Sequence, residues 1–109
     1  MTTQSTHPVE VQMPAFFAPA RLTADSRLEF RRAVLEQLEQ AVQQGASTLE
    51  VDLGGSVEMD ASGLGVLVLL QKRARERNVR IRLAHAPRQI YDTLRLTRLD
   101  ALFEFSKLN

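Results

Sequence analysis

One short stretch of this chain has residue types and spacing suited to chemistry: Asp60-Ala61-Ser62-Gly63-Leu64-Gly65. A β-rich run, TLEVDL, leads into a Gly-broken loop, and an apolar helical pattern follows. A strand, a Gly-containing turn and a helix start can cradle phosphate. The dinucleotide fingerprint needs a third glycine at position 68, where Val68 stands, and no Gly-Lys-Ser/Thr is present for a Walker loop. Ser62 as a hydrolytic nucleophile needs a base. The histidines are His7, in a polar leader, and His85, for which the sequence offers no acidic orienter; two isolated histidines are no metal site. What remains is a serine at a helix start, outside any nucleotide motif and without the partners of a nucleophile.

Totals narrow the classes further. The chain has 109 residues, which suits one domain. Fourteen Lys and Arg against 13 Asp and Glu leave a net charge of +1. That gives no global pull toward nucleic acid or an anionic membrane. The basic groups Arg27, Arg31, Arg32 and Arg73, Arg75, Arg77 read as solvated helix faces, although the first set also suits a partner. With no cysteine there is no disulfide, thiolate catalysis or Cys-based metal site. The N-terminus lacks the n- and h-regions of a signal peptide, and the apolar run from Leu64 to Leu70 is far shorter than the ~20 residues of a membrane span. The expectation is a cytoplasmic, non-enzymatic protein without bound cofactor or metal.

The elements that must position Ser62 can be read from periodicity. Residues 1–8 are polar and expected to be flexible, with the domain over residues 9–109. Val9 to Phe17 suggests one or two short strands broken at Pro14. Thr23, Asp25 and Ser26 are cap-type residues ahead of a helix over residues 26–44, with Leu28, Leu35, Leu38 and Val42 as its apolar face and Gly45 as its stop. Residues 48–53 form a strand, 62–77 a second helix and 79–83 another strand. Pro87 opens a third helix. Residues 99–102 suit a short helical turn and 103–105 a closing edge strand. This alternation argues for an α/β layer.

The pattern D-x-S-G-L-G-x-L at the strand–helix junction resembles the signature of STAS domains of anti-sigma factor antagonists. The closing run LRLTRLDALFEF is similar to the family's last segment, so the resemblance covers about residues 11–106. It implies a single STAS-like domain with a mixed central β-sheet and about four helices packed mainly on one side. It also implies that Ser62 is the phosphorylated residue. The unmodified domain would bind an anti-sigma factor that is a serine kinase, with ATP and Mg²⁺ on that partner. Phosphorylation would release the kinase, and a Ser/Thr phosphatase would reverse it. STAS domains also serve as scaffold subunits of lipid or anion transport and stress-sensing complexes, which is the alternative. A monomer is the default. Three departures stand out. Ala61 occupies a place where many members have a second hydroxyl. Thr23 ends Ala20-Arg21-Leu22-Thr23, where many carry Gly-x-Leu-Asp. Arg98 stands where Gly is common.

The expected partner surface comprises Thr23, Asp60, Ala61, Ser62, Gly63, Leu64, Gly65, Val66 and Leu69. Asp60 suits both a helix cap and a contact to the partner's nucleotide or metal. Gly63 and Gly65 each cost about 1 kcal/mol of helix propensity against Ala. Close approach of a partner, or tight helix–sheet packing, would account for that. On a helical wheel Leu64, Leu67, Leu70 and Ala74 form the core face and Val66 and Val68 its borders. Leu69 points nearly opposite, as an exposed anchor flanked by Val66.

Overall fold

The computed structural model describes residues 13–108. The expectations for residues 1–8, and for the part of the Val9–Phe17 strand region before Met13, lie outside the described residues. Among the described residues six strands and three α-helices follow one another as β1 (Ala15–Phe17), β2 (Arg21–Leu22), α1 (Arg27–Gln43), β3 (Thr48–Asp52), β4 (Glu58–Met59), α2 (Ala61–Glu76), β5 (Arg80–Ala86), α3 (Arg88–Leu96) and β6 (Glu104–Leu108). The main sheet has the order β1-β3-β5-β6, and β2 pairs with β4 in a small second sheet.

Among the described residues every pairing is parallel, so the expected mixed sheet is corrected. The reason is connectivity. A helix separates each strand of the main sheet from the next, which returns the chain to the same end before it pairs. The fourth helix also contracts. Residues 99–102 make only a single 3₁₀ turn, Asp100–Leu102, matching the turn Ala24–Ser26 before α1.

β3 alternates as its sequence requires: Leu49 and Val51 face the core, while Thr48, Glu50 and Asp52 face away. Ile81 and Leu83 continue the inner face on β5. The register of β5 against β6 then shifts around Ala84, and His85 takes φ 56° in this irregularity. Both Ala84 and Ala86 are consequently buried. α1 and α2 lie against this inner face and against each other, and Ile90 and Leu94 of α3 join the same buried cluster.

Two helix faces differ from the wheel reading. In α1 the buried residues are Phe30, Val34, Leu38 and Ala41; Leu35 and Val42 sit at the border, and Leu28 is 63% exposed. In α2 they are Gly63, Val66, Leu67, Leu70 and Ala74, with Leu64 only partly buried. Left-handed backbone marks the ends of elements: Gly45 after α1, Asn78 after α2 and Arg98 after α3. The φ of 62° at Arg98 accounts for the glycine expected there by resemblance, since a side chain with Cβ is strained in this region.

Candidate functional site

β4 carries the chain to Asp60, whose extended backbone (φ −114°, ψ −170°) makes it the N-cap of α2. Its Oδ1 accepts the backbone N–H of Ser62 at 2.8 Å and of Gly63 at 3.3 Å. Its Oδ2 accepts the N–H of Ala24 at 3.1 Å, across from the turn before α1. One carboxylate therefore caps α2 and fastens it to the approach of α1. Desolvation opposes the charge on Asp60, but the donated N–H groups of Ala24, Ser62 and Gly63 outweigh it and hold the carboxyl below its ordinary value.

A group whose folded-state pKa is depressed contributes stability above its unfolded value, near ~3.9, and loses it as pH falls through the folded value. Asp60→Asn keeps an acceptor for one side of the tie and loses the charge. The variant should melt below wild type at neutral pH, and the gap should narrow as pH drops below about 4. Thermal melts across that range check this; a gap independent of pH would contradict it.

With Asp60 as the cap, Ser62 is not needed for that task. Ser62 is half-buried as the second residue of α2, and its hydroxyl makes no hydrogen bond with another described residue. It opens on a cleft of about 390 Å³ between the starts of α1 and α2, lined by Ser62, Ala61, Gly65, Val66, Leu69, Arg27 and Arg31. Ala61 and Gly65 are exposed, and a Cβ on Gly65 would meet open space. Val66 is 4% exposed, so it forms the floor of the cleft and packs into the core instead of flanking an exposed anchor. Leu69 is half-buried and forms part of the wall, where the wheel had it fully outward.

Four of the expected surface residues are not in the lining: Asp60, which caps α2 as described, and Gly63, Leu64 and Thr23. Gly63 is buried, and its need for glycine is internal: a Cβ there would collide with the Leu22 carbonyl of β2. Tight packing, not the approach of a partner, explains it. Leu64 packs at the edge of the core. Thr23 is half-buried beside the Asp60 tie, and its N–H donates to Ser26 Oγ at 3.3 Å.

Arg27 and Arg31, read from sequence as part of a solvated face, belong to the site. They are one helical turn apart, and their helical neighbours at three and four residues, Phe30, Val34 and Leu35, offer no carboxylate. That pattern was the available signal. His85 does have an acidic partner the sequence did not suggest: its Nδ1 lies 3.0 Å from Asp52 Oδ2, across neighbouring strands. Asp52 Oδ1 also accepts the Gly54 N–H at 2.8 Å. The pair fastens the loop after β3 and does not line the Ser62 cleft. Among the described residues no cluster of His, Asp and Glu is arranged to hold a metal, and no helix is long and apolar enough to cross a membrane.

The family model described as "Mlab, STAS domain" matches residues 18–104. The chain belongs to the STAS-domain family. As a STAS domain it is similar to the protein TM1081 of Thermotoga maritima, a candidate anti-sigma factor antagonist. With its crystal structure the TM-score is 0.68 at 20% identity, covering 84% of this chain and 74% of that one. With the NMR structure of TM1081 it is 0.69 at 17% identity, covering 99% and 91%. The phosphorylated form of SpoIIAA, a Bacillus cell fate determinant, gives 0.60 at 15% identity, covering 90% and 87%. At these identities the likeness is one of fold. No curated protein matches the chain.

Proposed function

We propose that this STAS domain is an anti-sigma factor antagonist switched at Ser62. The observation that carries the reading is the division of labour at the start of α2. Asp60 caps the helix, which leaves the Ser62 hydroxyl without a structural bond to a described residue and facing a cleft. The unmodified domain binds a kinase-type anti-sigma factor over this end of the molecule and so frees the sigma factor. The bound kinase supplies ATP and Mg²⁺. Ser62 Oγ attacks the γ-phosphorus, the hydroxyl proton passes to a base on the kinase, and ADP leaves. The phosphoserine carries roughly −1.5 to −2 charge, which an interface formed around a neutral hydroxyl does not accommodate. A Ser/Thr phosphatase hydrolyses the ester and restores binding. The domain itself supplies no catalytic group.

A second reading, a STAS scaffold subunit of a transport or stress-sensing complex, draws on the matching family description, which names Mlab. Affinity capture from the native host with wild type, Ser62→Ala and Ser62→Asp separates the two. The switch predicts a kinase partner that Ser62→Ala retains and Ser62→Asp loses. A set of partners indifferent to all three variants, with transport components among them, would overturn it in favour of the scaffold.

A further inference from the structure

The cleft beside Ser62 has a charge arrangement that the switch so far leaves unused. Arg27 is the first residue of α1 and Arg31 lies one turn on, so both project from the same helix face. That face borders the cleft into which Ser62 opens. Neither guanidinium has an ion pair with another described residue, whereas Arg21, Arg77, Arg80, Arg82 and Arg88 each lie within 4.0 Å of a carboxylate. Two nearby acids are engaged, and Asp25 and Glu29 stand two residues from Arg27, a spacing that does not face it on a helix. Asp60 spends both oxygens on backbone N–H groups, and Glu58 lies 3.6 Å from Arg21. Two guanidinium forks without an ion pair to a described residue, and a hydroxyl without a hydrogen bond to one, thus share one cleft.

We infer that Arg27 and Arg31 form an internal receptor for the phosphate of phosphoserine 62. The inference rests on the proposed modification of Ser62 and adds how the modified state is held. Guanidinium groups bind phosphate oxygens in planar, paired hydrogen bonds, which is the strong mode of such contacts. Two of them offset a phosphoserine of about two negative charges. The Asp60 tie keeps the starts of α1 and α2 together, so the receptor needs no rearrangement of the fold. Phosphorylation then does two things at once. It blocks the hydroxyl, and it withdraws two positive charges from the surface presented to a partner.

The test uses the full chain with phosphoserine placed at position 62 by genetic encoding, so no kinase is required. The phosphorus NMR shift is followed through a pH titration at near-physiological salt. Nearby cations favour the dianion, so the second phosphate pKa, ordinarily about 6, should lie lower in wild type than in the double variant Arg27→Gln/Arg31→Gln. The expected difference is roughly one unit, or about tenfold in proton affinity. Arg32→Gln, also on α1 but outside the cleft lining, should leave the midpoint close to that of wild type. Equal midpoints for wild type and the double variant would overturn the receptor. So would an equal shift from Arg32→Gln, which would mark a diffuse effect of net charge. A host in which Ser62 is never modified would defeat the proposed switch without moving this titration. Equal midpoints would defeat the receptor and leave the switch standing.

Discussion

Gly63→Ala should destabilise the domain by about 2 kcal/mol or more, while Gly65→Ala should stabilise it slightly. The two positions are two residues apart on one helix, and propensity alone predicts the same gain of up to roughly 1 kcal/mol for each. Packing separates them. A Cβ on Gly63 would overlap the Leu22 carbonyl oxygen and come within 2.7 Å of Leu22 Cβ and 2.8 Å of the Leu22 carbonyl carbon. Much of that obstacle is backbone, and Leu22 is fully buried and paired through β2 with β4. Overpacking of a filled site costs about 1–3 kcal/mol, occasionally more. At ~4–8 °C per kcal/mol for a domain of this size, Gly63→Ala should lower Tm by roughly 8–16 °C. Gly65 faces open space, so its alanine variant should melt at or a few degrees above wild type. Equal melting temperatures for both variants would contradict this packing. Because Leu22 accepts the Asp60 N–H at 3.2 Å, displacing it also disturbs the cap. A binding defect in Gly63→Ala would therefore say nothing about direct contact.

The second large effect is expected in α1. Phe30 is 2% exposed, and its ring lies 6.4 Å from that of Phe16 with 20° between the planes, joining the helix to edge strand β1. Truncating a buried Phe to Ala costs about 3–5 kcal/mol, a large share of the ~5–15 kcal/mol that holds a typical domain folded. Phe30→Ala should unfold at far lower denaturant than wild type. Leu28→Ala, at a 63% exposed position two residues away, should shift stability by no more than about 0.5 kcal/mol. Chemical denaturation of both variants checks the contrast. Similar losses at the two positions would put the core face of α1 elsewhere.

These two sites also show where sequence reading succeeds and where it stops. The limits of α1 and α2 were legible within one residue, because cap-type residues precede them and Gly45 and Asn78 follow. Their rotation was not. Leu28, Leu35, Leu38 and Val42 form a helical stripe as regular as Phe30, Val34, Leu38 and Ala41, and only packing against the sheet and α2 decides between them. α2 is apolar through most of residues 64–70, so its wheel has no polar sector there to orient it. Contact of Gly63 with Leu22 fixes it, and rotates Val66 inward. The closing segment was legible as a short turn and an edge strand. Its strain at Arg98 appears only in the backbone. At the candidate site, the D-x-S-G-L-G-x-L pattern drew attention to the start of α2, and Asp60 proved a cap by residue type and place. The arginines opposite Ser62 come from a helix some 30 residues earlier in the chain. No local pattern brings those two segments together; a parallel fold that starts both helices at the same end does.

The central claim is that Ser62 is a phosphorylation switch, and its most direct test is the intact mass of this chain purified from its native host, followed by fragmentation to locate any modification. The account predicts a population heavier by one phosphate, carried on Ser62 and absent from Ser62→Ala. A chain that is unmodified under every growth condition, or that carries its phosphate on another residue, would contradict it.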